Sequence, residues 1–253
     1  MLFTNAYDDR QRAQAYASLE FPGTYYLAFR DLPALLAEHV SGRAALDFGC
    51  GTGRSTRFLL QLGFDAVGID ISGPMITLAR AADPGGRYLL VDDGDFSIFE
   101  PTSFDLILST FAFDNIPGVQ HRTRILQALG RLLRDDGRIV LVDGTPEIYV
   151  NEWASFSTKD FPENREAMSG DEVHAVITEV DDRRPVVDLV WFHDDYLASF
   201  AASGLELIAH HQPLGHEHEP YPWVSETSIP PWSIYVLATT ERSPQSATVG
   251  VPV

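Results

Sequence analysis

Cysteine occurs once in the 253 residues, at Cys50. No internal disulfide framework is therefore available, and the chain suits a reducing, cytoplasmic setting. Basic residues are scarce: 18 Lys and Arg stand against 36 Asp and Glu, a formal net charge of −18. Without a basic run to neutralise phosphates, a nucleic-acid partner is disfavoured, and the acidity is read as a solubility device. No window approaches the roughly 18 uninterrupted apolar residues of a membrane span. Met1 to Asp9 lack the basic-then-apolar order of a signal peptide. Internal repeats are lacking as well. What is plentiful is core material, with 45% apolar and 11% aromatic residues, enough for one α/β domain.

The stretch from Ala44 to Ser55 organises the rest. An apolar run ends at Asp47 and Phe48, glycines follow at 49, 51 and 53, and Phe58 to Leu62 carries helical spacing. That order reads as strand, glycine loop and helix. Alternate glycines permit positive φ and let a ligand lie against bare backbone, while the helix start points free N–H groups at the same place. The loop is G-x-G-x-G rather than the G-x-G-x-x-G of a dinucleotide site. Asp47, so close by, would repel a pyrophosphate and suits a ligand bearing an ammonium or sulfonium group.

The motif Asp47-x-Gly49-x-Gly51-x-Gly53 resembles the first motif of the class I S-adenosylmethionine (SAM) methyltransferases. The resemblance implies an α/β, Rossmann-like fold: a seven-stranded sheet with helices on both faces and its last strand antiparallel, binding SAM as cofactor. Alternating strand and helix patterns from residue 44 to 143 fit a parallel sheet. Asp70 ends the second strand at the distance where a βαβ unit delivers a carboxylate to a ribose diol. Ile71 and Met75 follow it; Met75 would pack near the adenine, or equally serve the helix core. Asp92, with Asp93 one step away, would accept the adenine amino hydrogen. Thr110 and Phe111 follow the fourth strand, where open parallel sheets place ligands. The aromatic arm over residues 1–43, with Tyr16, is expected to act as a helical lid. Arg30 is the candidate partner of the methionine carboxylate, with a surface pair to Asp31 or Glu38 as the competing reading.

The methylated atom, O, N or C of a small organic acceptor, is left open. Residues 44–240 are expected to form the SAM-binding domain, with residues 146–193 an inserted β-hairpin after strand 5 that covers the acceptor pocket or makes a homodimer contact. Residues 241–253 have the Ser, Pro and Gly content of a disordered tail. His216, in a loop with four histidines between 210 and 218, is the first candidate base and Asp114 the second. Phe113, Asn115, Trp153, Tyr221, Trp223 and Glu226 are candidate acceptor contacts. No metal is expected, since the histidine loop lacks the i, i+4 spacing of a helical zinc site. Two rivals remain: a protein of this fold that holds SAM without transferring methyl, and a nucleotide-dependent oxidoreductase.

Overall fold

The computed structural model describes residues 9–19 and 22–240; the expected tail over 241–253 and the first eight residues of the arm lie outside them. Three helices precede the first strand: α1 (Arg10–Ala17), α2 (Thr24–Arg30) and α3 (Leu32–His39). Asp9 starts α1 by accepting the backbone N–H groups of Gln11 and Arg12. The helical segment expected around Tyr25 to His39 divides at Asp31. Pro33 sits in the first turn of α3, where its missing N–H costs nothing and its ring disfavours an uninterrupted helix.

The strands are β1 (Ala44–Phe48), β2 (Asp65–Asp70), β3 (Arg87–Leu90), β4 (Phe104–Thr110) and β5 (Leu133–Gly144), linked by α4 (Arg54–Gln61), α5 (Gly73–Ala82) and α6 (Val119–Leu132). After an insertion come α7 (His193–Ala202), and two further strands at Leu205–His211 and Trp232–Thr239. With the three strands of the insertion counted in chain order, these last two are β9 and β10. The seven-stranded sheet runs β3-β2-β1-β4-β5-β10-β9. β10 lies antiparallel between β5 and β9, as expected for the final strand. Leu46 sits beside Val67 on one side and Ile107 on the other, so the central strands are apolar on both faces. One face packs Leu27, Leu32 and Leu36; the other packs Ile125, Leu126, Leu129 and Phe200. Strand order reverses between β1 and β4, which opens a crevice at their carboxyl ends.

The inserted segment is richer than the expected hairpin. It forms a three-stranded antiparallel sheet of β6 (Phe156–Ser157), β7 (Glu172–Ile177) and β8 (Val186–Leu189). Along β7, Val173, Ala175 and Ile177 are buried in strict alternation. The register sets Asp188 opposite Val173 and Val186 opposite Ala175, so Asp188 shares their inward face. A slip of one residue would turn it out to solvent. Phe156, Val173 and Ile177 join Tyr25, Tyr149 and Trp232 in one apolar cluster, which seats the insertion over the carboxyl end of the main sheet.

Candidate active site

The glycine loop is held open from below. Gly49, Gly51 and Gly53 have φ of +69°, +52° and +77°, a region L side chains avoid. The Asp70 carboxylate accepts the N–H of Gly51 and of Ser72, both at 2.8 Å, and so ties the loop to the start of α5. A Cβ built on Gly51 meets nothing within 4 Å, whereas one on Gly53 would strike the Tyr88 ring at 2.6 Å. Gly51 thus faces a cradle, and Gly53 is required by packing.

Asp47 is turned under this loop rather than toward the cradle. Fully buried, it accepts the hydroxyls of Ser55 at 2.7 Å and Thr56 at 2.6 Å, stapling α4 to β1. Burial pushes its carboxyl up to about 6. It does not border the cleft, which corrects the expectation that it meets a ligand cation directly. Cys50 is buried and its thiol is pushed up by burial, which makes it inert packing.

The cleft itself measures about 980 Å³, at the top of the range for small-molecule sites. Gly49, Gly51, Asp70, Ile71, Met75, Asp92, Asp93, Thr110 and Phe111 all line it, and so does Tyr16 from α1. Of the two adjacent acids, Asp93 accepts His121 Nε2 at 3.0 Å, while the Asp92 carboxyl bonds to none of the described residues. Arg54, the first residue of α4, lies over the Tyr16 ring at 5.4 Å and lines the same space, as does Arg12. Sequence spacing had singled out neither arginine, though Arg54 directly follows the last motif glycine.

At the other end, Phe111 holds a left-handed φ of +57° while its N–H donates to Val142 at 2.8 Å. A strained non-glycine turn at a strand end redirects the side chains after it. Phe113 points away, fully buried against the Arg122 guanidinium at 4.3 Å, and is core rather than lining. Asp114 points the other way and borders the cleft. Its backbone carbonyl accepts Trp191 Nε1 at 2.8 Å, and Arg122 Nη1 donates to the Phe113 carbonyl at 2.8 Å. Arg122 is fully buried, boxed by the Phe113, Trp191 and Tyr196 rings.

Asn115 donates from Nδ2 to Asp114 Oδ1 at 3.2 Å and to Asp188 Oδ1 at 3.3 Å; the Tyr149 hydroxyl reaches Asp188 Oδ2 at 3.4 Å. Burial, then the charges of Asp143 and Asp188, push the Asp114 carboxyl well above the ordinary carboxylate range. Burial also raises Asp188, opposed by the bonds from Asn115 and Tyr149. Tyr25, Phe111, Phe156 and Trp232 wall this end, with Phe111 and Trp232 centroids 4.7 Å apart. Asp188, Tyr149 and Trp232 were not singled out from the sequence. The one available signal was a lone acid at inward parity in the β run Val186 to Leu189.

Several expected site residues do not reach the cleft. Arg30 forks onto Asp31 at 2.7 and 2.9 Å and onto Glu219 at 2.9 Å, the competing surface-pair reading in the case of Asp31. It borders a second hollow with His211, His216 and His218, separate from the glycine loop. His216 is exposed there, its ring stacked on His218. Tyr221 packs on Tyr26, and the indole of Trp223 donates to the His216 carbonyl. Trp153 is buried, its indole bonded to the Ile148 carbonyl. Glu226 is fully buried and fastens α2 to the insertion by accepting Thr24 Oγ1 and the Ala154 N–H, both at 2.7 Å. Tyr221, Trp223 and Glu226 have structural partners because their loop folds back on α2 instead of over the sheet switch point. Among the described residues, no group of three or more His, Cys, Asp or Glu is placed to hold a metal ion.

Residues 46–141 match a family model described as a methyltransferase domain. An uncharacterized methyltransferase of Geobacillus thermodenitrificans is 35% identical over 105 residues, 41% of this chain and 47% of that protein. A demethylmenaquinone methyltransferase of Tropheryma whipplei is 34% identical over 105 residues, 41% of this chain and 42% of that protein. The chain spans about half the length of the curated relatives it matches. Among solved structures, an S-adenosylmethionine-dependent methyltransferase of Clostridium acetobutylicum superposes with a TM-score of 0.61 at 12% identity, covering 94% of this chain and 100% of that one. The CcbJ methyltransferase of Streptomyces caelestis superposes with a TM-score of 0.64 at 18% identity, covering 92% and 98%. The family match covers the stretch that carries the glycine loop, and the structural likeness extends over nearly all of the chain.

Proposed function

We propose, from the match of residues 46–141 to a methyltransferase-domain model and from the likeness of the fold to a SAM-dependent methyltransferase, that this chain binds SAM and transfers its methyl group to a small organic acceptor. The observation that carries the reading is the Gly51 cradle. Bare backbone faces the cleft, with the Asp70 carboxylate behind the loop and Asp92 at the next strand end. In this reading Asp70 meets the ribose hydroxyls, Asp92 the adenine amino group, and Met75 and Ile71 the flat faces of the base. Arg54 or Arg12 replaces Arg30 as partner of the methionine carboxylate, since both border the cleft. Bound SAM supplies an electrophilic methyl group on a sulfonium. The protein then has to exclude water, align the acceptor and take up a proton. Asp114 takes the proton-accepting role first assigned to His216, being buried at the cleft wall where a raised carboxyl suits that task.

Calorimetric titration with SAM, with its demethylated product S-adenosylhomocysteine and with NADH tests the reading. SAM and its product are expected to bind and NADH not to; preferential NADH binding ends the case. Gly51→Ala is expected to weaken SAM binding by at least about tenfold, because the methyl group enters the cradle. Its cost in stability is limited to about 1 kcal/mol of backbone strain, since the added carbon touches nothing. Equal SAM affinity in this variant places the cofactor elsewhere. His216→Ala is expected to leave turnover and SAM affinity within about twofold of the wild type, as befits an exposed side chain away from the cleft.

A further inference from the structure

The acceptor end of the cleft holds an unusual charge arrangement. Asp114, 6% exposed and in the loop after β4, and Asp188, on β8, are bridged by one Asn115 amide. Among the described residues neither makes an ion pair. Arg122 acts on Asp114 from behind the wall, and Arg12 and His174 act on Asp188 at longer range. Asn115 is the residue that donates to the Asp114 carboxyl, whose side chain is more than nine-tenths buried and borders the cleft. Aromatic rings close the same space: Tyr25 and Trp232 stack at 5.9 Å, and Phe111 lies edge-on to Tyr25 at 5.5 Å.

We infer that the methyl acceptor is an amine that enters as an ammonium ion between the Asp114 and Asp188 carboxyl groups, with its carbon body against Tyr25, Phe111 and Trp232. The inference rests on the methyl-transfer reading and names the acceptor class for it. A buried carboxyl group beside a half-buried one, with no ion-paired cation among the described residues, is costly, and a ligand cation is what relieves them. An alcohol would use one carboxyl as a base and leave the other uncompensated, and a carboxylate would be repelled. Aromatic faces add attraction for a cation and shelter an apolar skeleton. The chemistry balances. The ammonium gives one proton to Asp114, and the freed nitrogen lone pair bonds the methyl carbon as the carbon–sulfur bond breaks with its electron pair left on sulfur. The methylated nitrogen then carries the positive charge opposite Asp188, and Asp114 releases its proton when the product leaves.

The test is calorimetry of the full chain saturated with S-adenosylhomocysteine. The probes are matched sets: 2-phenylethylamine, tyramine and tryptamine, each beside the alcohol and the acid of the same skeleton. Amines are expected to bind at least about tenfold more tightly than their alcohols, the loss of one charge-assisted bond, and the acids least. With SAM in place of its product, mass spectrometry is expected to find N-methyl and not O-methyl products. Asp188→Asn is expected to abolish the amine preference and leave S-adenosylhomocysteine affinity unchanged. Alcohols or acids binding as well as amines across all sets, O-methyl products, or a full amine preference in folded Asp188→Asn would overturn the inference. The wild-type comparison decides the matter even where the variant does not fold. Failure of S-adenosylhomocysteine to bind would instead bring down the methyl-transfer reading, so the two failures are distinguishable.

Discussion

Asp114→Asn is expected to lower kcat by about 10²- to 10³-fold, the scale of a lost general base, with SAM affinity unchanged because the residue lies beyond the glycine loop. The fold is not expected to suffer. A carboxyl raised by burial holds more protons in the folded than in the unfolded chain, so its contribution to stability is greatest at low pH and is lost as pH rises through the raised value. A neutral amide removes that penalty, and the thermal midpoint at neutral pH should equal or exceed that of the wild type. The same reasoning sets the pH profile of the wild type. Proton acceptance requires the ionised carboxyl, so kcat falls on acidification along a limb displaced well above the ordinary carboxylate range. The charges that face the group are Asp143 on β5, Asp188 on β8 and Arg122 on α6. Unchanged kcat in Asp114→Asn, or a loss of activity that merely tracks a loss of folded protein, would remove Asp114 from the proton path.

Arg122→Ala is expected to have the largest effect on stability, about 3–5 kcal/mol, because it combines a large core cavity with the loss of a buried cation near buried acids. For a chain of this size that corresponds to a fall of about 10 °C in the thermal midpoint. Three aromatic rings lie within 4.8 Å of the guanidinium, and one of its nitrogens holds the Phe113 carbonyl that aims Asp114. Its charge also lowers both Asp114 and Asp143, so its removal should carry the acid limb of kcat further upward. Arg122→Lys retains the charge and loses the planar stack. It is expected to keep the wild-type position of the limb while losing part of the stability. Arg122→Ala with a wild-type midpoint would show that the box is not a structural anchor.

The glycine-loop end of the cleft was legible in the sequence because it is local. Gly49, Gly51, Asp70, Met75, Asp92 and Phe111 each lie within a few residues of a strand end, and a parallel sheet gathers its strand ends at one edge. The far end was legible only in part: Asp114 and Asn115 stood among the sequence candidates, whereas Asp188, Tyr149 and Trp232 did not. Whether Asp188 faces inward is set by the register of β8 on β7, and whether Phe113 or Asp114 lines the cleft is set by one left-handed turn at Phe111. His216, Tyr221, Trp223 and Glu226 carry residue types suited to a site, yet their loop returns to α2, anchored by Glu226 on Thr24 and Ala154.

By itself, the order of apolar runs, glycines and strand-ending aspartates determined the α/β class, the sheet that results and the place of the glycine cradle, because each depends on contacts between near neighbours or on the period of burial. Only the tertiary structure decided which acids converge at the far end, which arginine lines the cleft and which histidines do not. Those outcomes depend on strand register and on the return path of long connections, which no local pattern encodes.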